Sequence, residues 1–187
     1  SDGSLTQLSQ SHVDTGAGLE RITSVLQGKT SNYETDLFQP IIMEIESKSE
    51  VSYVENPVPF QVIADHIRML CFSIADGALP SNEGRGYVLR RILRRASRFG
   101  RVLKLDEPFL HNLVNTVCDL MSDAYPELNE KSTHIKLVIG TEETLFNKTL
   151  GRGINHLEKL IESIGNEKVI PGDDAFKLYD TYGFPID

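Results

Sequence analysis

Two stretches of this chain combine residue types and spacing that could do chemistry. The first is Val13-Asp14-Thr15-Gly16-Ala17-Gly18-Leu19-Glu20-Arg21. Two glycines one residue apart, ahead of a helical pattern, let the backbone come close to a ligand, and a helix N-terminus together with Arg21 favours a phosphate. The same spacing also suits a plain glycine turn with Glu20 and Arg21 as surface charges. The third glycine of a dinucleotide fingerprint is missing. Gly28-Lys29-Thr30 is no phosphate loop either, because Thr23 stands where the leading glycine belongs. The second stretch lies between Glu83 and Lys104, where Arg85, Arg90, Arg91, Arg94, Arg95, Arg98 and Arg101 occur without a single acid.

That arginine cluster sits in an acidic protein. The 187-residue chain has a formal net charge of -8, from 19 Lys and Arg against 27 Asp and Glu. Positive charge confined to one place on such a chain points to a polyanion bound there, with the acidic remainder discouraging contact elsewhere. On a helix from Gly86 to Val102 the arginines fall within an arc of roughly 140°. Val88, Leu89, Ile92, Leu93, Ala96 and Phe99 take the opposite arc, which predicts a core face and a phosphate face. The competing reading is a solvated face, or arginines paired with carboxylates elsewhere in the chain.

The elements that must position these residues are overwhelmingly helical. Periodicity predicts helices over 18–27, 34–47 (Leu37, Ile41, Ile42 and Ile45 on one face), 60–78, 86–102, 109–121 and 132–164, with a break at Gly151 and Gly153, and a short one over 174–179. Pro80-Ser81-Asn82 forces a turn before the arginine helix, and 48–57 is polar and turn-like. Only 11–14 and 51–54 look extended. Cys71 and Cys118 lie in apolar helical patterns and read as core thiols of a reducing compartment. No run approaches the roughly 18 apolar residues of a membrane span, the start carries no apolar leader, and the five histidines have no metal-ligand spacing. A cytoplasmic chain with no membrane partner and no metal site is the expectation.

Taken together, the motifs resemble the alanyl-tRNA synthetases, a class II family. Asp14-Thr15-Gly16-Ala17-Gly18-Leu19-Glu20-Arg21 is similar to their motif 3, and Val25-Leu26-Gln27 and Ser31-Asn32-Tyr33 follow it. Ala64-Asp65-His66-Ile67-Arg68, Ala75-Asp76-Gly77, Pro80-Ser81-Asn82, the segment from Gly86 to Ala96, and Leu178-Tyr179-Asp180-Thr181-Tyr182-Gly183-Phe184-Pro185 then match in order. The resemblance implies a mainly α fold: a strand-plus-helix remnant of the class II catalytic domain over 1–30, then a helical tRNA acceptor-stem recognition domain over 31–187.

It also implies roles. Asp14 would hold the amino group of alanine, Gly16 and Gly18 would leave room for the amino acid and its adenylate, and Arg21 would contact the ATP γ-phosphate. Asn82 and Asp180 would recognise a G·U wobble pair in the acceptor stem of tRNA(Ala). Arg85, Arg90, Arg91, Arg94, Arg95 and Arg98 would hold its phosphates. ATP with magnesium would serve the whole enzyme, and zinc would belong to an editing region outside this chain. Motifs 1 and 2 should precede motif 3, yet 12 residues stand before Val13. The expectation is therefore a fragment of an alanine-tRNA ligase unable to make alanyl-adenylate alone, the alternative being a non-catalytic RNA-binding or regulatory module derived from a synthetase.

Overall fold

The computed structural model describes residues 7, 9–11, 15–164, 169–182 and 184. The chain divides into two units, 1–39 and 40–187. In the first, helix α1 (Leu19–Leu26) starts from Gly18, whose φ of 81° is a left-handed conformation that glycine adopts without penalty. A 3-10 turn, Asn32–Glu34, follows, started by the Ser31 hydroxyl accepting from the Tyr33 amide at 3.3 Å. The Gln27 side chain joins helix end and turn, donating to Asp36 Oδ1 at 2.7 Å and accepting from the Asp36 amide at 3.3 Å. The helix expected over 34–47 begins only at Gln39, because Thr35 Oγ1 donates to the Asn32 carbonyl at 2.6 Å and closes a separate turn.

Helices α2 (Gln39–Glu46), α3 (Pro57–Ala75), α4 (Gly84–Val102), α5 (Leu113–Met121), α6 (Pro126–Glu130), α7 (Ser132–Ile164) and α8 (Gly172–Asp180) make up the second unit apart from α2's first residue. Its centre is α3, which starts three residues earlier than periodicity suggests because proline is tolerated in a first turn. Phe60, Ile63, Ala64, Ile67, Leu70, Cys71 and Ile74 recur at helical spacing and are inaccessible to solvent. α4 packs along α3, with α5, α6 and α7 also against it. By length and composition α3 could cross a membrane, contrary to the expectation of no such run, but 56% of that stretch is buried inside the bundle. Cys71 and Cys118 are both free and buried, and burial pushes both thiols up, which disfavours the thiolate at each.

No strand occurs among the described residues. Of the extended segment expected at 11–14, all but Ser11 lies outside them, and the regular element described within 1–30 is helix α1. The other, 51–54, is a turn. Its amides are taken up locally, Val51 by Ser49 Oγ at 2.9 Å and Tyr53 by Glu46 Oε1 at 2.7 Å, which removes them from any ladder.

Two further expectations are corrected. α4 is rotated about its axis: its buried residues are Gly86, Leu89, Leu93, Ala96, Ser97 and Gly100, while Val88 is 51% exposed. The small residues decide this, because a Cβ on Gly100 would stand 2.3 Å from the Phe109 ring. α7 runs unbroken for 33 residues through Gly151 and Gly153. Gly153 serves packing instead, since a Cβ there would lie 2.5 Å from the Phe184 ring and 2.8 Å from Tyr182 Cβ.

Candidate nucleic-acid interface

The N-terminal end of α4 gathers most of the polar residues singled out by sequence. Gly86, on its first turn, lets the preceding loop lie directly on the helix: a Cβ would come within 2.1 Å of Ser81 Oγ and 2.4 Å of the Leu79 carbonyl oxygen. Ser81 Oγ donates to the Glu83 carbonyl at 2.9 Å and so closes the loop. Asn82, between them, is exposed. Gly86→Ala is therefore expected to lower stability by about 1–3 kcal/mol in urea denaturation, because backbone as well as side chain must shift.

Behind Asn82 lies an ion-paired cluster. Arg90 Nη1 donates to Asn82 Oδ1. On its other side Arg90 meets Glu142 of α7, with Nε 2.9 Å from Oε1 and Nη2 donating to Oε2 at 3.2 Å. Arg94 Nη2 reaches Glu142 Oε1 at 3.4 Å, and its guanidinium lies 5.2 Å from the Phe146 ring centroid. Glu142 is buried, at 7% exposure, so one desolvated carboxylate holds two arginines and leaves a net positive charge.

The rotation of α4 separates the arginines into two groups. Arg90 and Arg94 border the core and face Glu142. Arg85, Arg91 and Arg95 are exposed and Arg98 is half-buried. Arg91 sits over the Tyr87 ring at 5.9 Å, and Arg95 and Arg98 over Phe99 at 5.8 and 5.6 Å. Guanidinium planes interleaved with aromatic rings hold cations at the surface, and both groups suit an RNA backbone or an unstacked base.

α8 brings the last residue to this end. The side chain of Tyr87 on α4 lies close enough to Tyr179 to raise its phenol above the usual range, with Arg91 acting in the opposite direction. Asp180 follows on the exposed side, while Leu178 is buried and anchors the helix. Beyond it, Tyr182 lies 5.6 Å from the His156 ring on α7, ring centroid to ring centroid. Asn82, in the loop before α4, and Tyr179, the neighbour of Asp180, close to Tyr87 on the first turn of α4, are thus found at the same end of that helix.

The phosphate candidates belong to the other unit. Asp14 lies outside the described residues. Gly16 is open, with nothing within 4 Å of a built Cβ, and the Arg21 side chain is exposed, its Cδ 3.7 Å from the Cβ position of Gly18. A glycine-rich backbone with an exposed guanidinium beside Gly18 fits a polyphosphate. Among the described residues no three His, Cys, Asp or Glu side chains converge to hold a metal ion.

The model of the family described as tRNA synthetases class II (A) matches residues 1–187. The chain belongs to this family. It is 54% identical to an alanine–tRNA ligase of Magnetococcus marinus and 54% identical to one of Staphylococcus epidermidis. An alanine–tRNA ligase of Listeria welshimeri is 51% identical. Each match covers all of this chain, which spans 22% of the length of each relative.

Within this class II synthetase chain, sequence reasoning missed Glu142, Glu143 and Tyr87. A signal existed for the acids. Ile135, Ile139, Glu142, Glu143, Phe146, Leu150 and Gly153 form the buried stripe of α7, so both carboxylates occupy positions where the helical period calls for apolar side chains.

Proposed function

We propose that this chain is the part of an alanine–tRNA ligase that runs from the end of the class II catalytic domain (1–30) through the domain that binds the tRNA acceptor stem (31–187). In the whole enzyme, which would act in the cytoplasm with ATP and magnesium and release AMP, Asp14 would bind the ammonium group of alanine. Gly16 and Gly18 would admit the small substrate, and Arg21 would neutralise charge on the γ-phosphate. Zinc would belong to an editing region elsewhere. Arg85, Arg91, Arg95 and Arg98 would hold phosphates of tRNA(Ala), with Arg90 and Arg94 adding charge from behind. Asn82 and Asp180 would read a G·U pair across the wide, shallow minor groove of A-form RNA.

The observation that carries this reading is the convergence of Asn82 and the end of α8 on one end of an arginine helix, in a chain whose relatives at 51–54% identity are named alanine–tRNA ligases. The test is equilibrium binding of two acceptor-stem hairpins that differ only in G·U against G·C. A preference for G·U of about tenfold is expected. Equal affinities would exclude the assignment of Asn82 and Asp180, and failure of both hairpins to bind would exclude the RNA interface.

A further inference from the structure

The contact between Arg90 and Asn82 has a chemical polarity. A guanidinium has only donors, so the atom of the Asn82 amide that faces Arg90 must be its oxygen, Oδ1. The amide is thereby fixed in one of its two orientations, with its –NH2 directed away from Arg90. Arg90 is itself held by the buried Glu142 carboxylate, with Nη2 donating to Oε2 and Nε lying 2.9 Å from Oε1, and Nη1 meets Asn82. Arg94 Nη2 donates to Oε1 of the same carboxylate at 3.4 Å.

We infer that Glu142 is a positioning residue for RNA discrimination: acting through Arg90, it turns the Asn82 amide so that this residue meets RNA as a hydrogen-bond donor. This rests on the reading of Asn82 and Asp180 given above and divides their work. Asn82 donates to an acceptor in the minor groove, a base N3, a base O2 or a ribose 2′-hydroxyl, and Asp180, which has only acceptors when ionised, takes guanine's exocyclic amino group. One partner of each polarity matches a groove that offers both. Arg90 in this arrangement contributes geometry as well as charge.

Binding of the G·U and G·C hairpins by variants of the full chain tests this. Glu142→Gln removes the charge that holds Arg90 and is expected to reduce the G·U preference at least fivefold, roughly the low end of what a well-placed base contact supplies. In an Asn82→Ala background the same substitution should not change the preference further, a coupling that a merely structural role would not show. Arg90→Lys keeps the charge but cannot bridge Glu142 and Asn82, so it should lose the preference while keeping the salt slope, and it serves if Glu142→Gln fails to fold. Asn82→Asp, which keeps an oxygen for Arg90 but offers no donor, should also lose it. If the unmutated chain does not discriminate, the reading of the base-pair contacts falls, and this inference with it. If it discriminates and Asn82→Ala abolishes the effect, yet folded Glu142→Gln and Arg90→Lys retain it, only the role of Glu142 is overturned. Retention by Asn82→Asp would overturn the donor assignment.

Discussion

Raising the pH from 5 to 8 is expected to take roughly 3 kcal/mol of stability from this chain through one side chain, Glu143, and Glu143→Gln is expected to abolish that loss. Glu143 on α7 is inaccessible to solvent, and burial pushes its carboxyl up from 4.5 to about 7, against the opposing effect of the Phe109 and Leu110 amides. Oε2 accepts from the Leu110 amide at 3.0 Å, where the 3-10 turn leading into α5 begins. Oε1 has no hydrogen-bond partner among the described residues. A folded-state value raised above the unfolded one means that the native state favours the protonated acid. The contribution is therefore fully present below about 4.5 and is lost as the pH climbs through about 7. Urea denaturation at both pH values, for the unmutated chain and the Gln variant, isolates it as a difference of differences. The Gln variant is expected to be less pH-dependent by about 3 kcal/mol. Parallel pH profiles would place the acid in a more polar setting than the structure gives it.

Asn82→Ala and Asp180→Ala are each expected to remove most of the preference for a G·U over a G·C hairpin, about 1–3 kcal/mol of discrimination. Asn82→Ala also leaves Arg90 Nη1 without its partner, so a small loss of stability accompanies the loss of specificity. Arg95→Ala, on the exposed side, should instead weaken both hairpins alike and reduce the salt slope by about one. A variant of Asn82 that weakened both hairpins equally and left their ratio intact would place Asn82 among the backbone contacts.

Helix existence was legible wherever the apolar period ran long, as in α3, α4 and α7, since a stripe of Ile, Leu and Phe is the signal that burial requires. How a helix is turned about its axis was less legible. In α4 the contact surface is built from Gly86, Ser97 and Gly100 as much as from Leu89 and Leu93. Apolarity gives no weight to such small residues, although they are what lets Phe109 and the Leu79–Ser81 loop approach. Gly151 and Gly153 were misleading in the same way, as glycine lowers helix propensity while tertiary packing over 33 residues overrides it. The arginine cluster and Asn82 were visible as residue types. That Arg90 and Arg94 share Glu142 was not, because the pairing spans about fifty residues and only its buried-face position marks the acid.

The continuity of α7 makes it a measuring rod. Glu142 supports the segment that carries Asn82, and Gly153 seats Tyr182 and Phe184 just after Asp180. The two supports stand eleven positions apart on one helix, about 16 Å at 1.5 Å per residue. Backbone hydrogen bonds, rather than loops, set that interval. One residue inserted between Glu142 and Gly153 would lengthen it by only about 1.5 Å but swing one support by about 100° around the axis. The span across which the chain could gauge a groove therefore tolerates substitution along α7 far better than it tolerates any change in length.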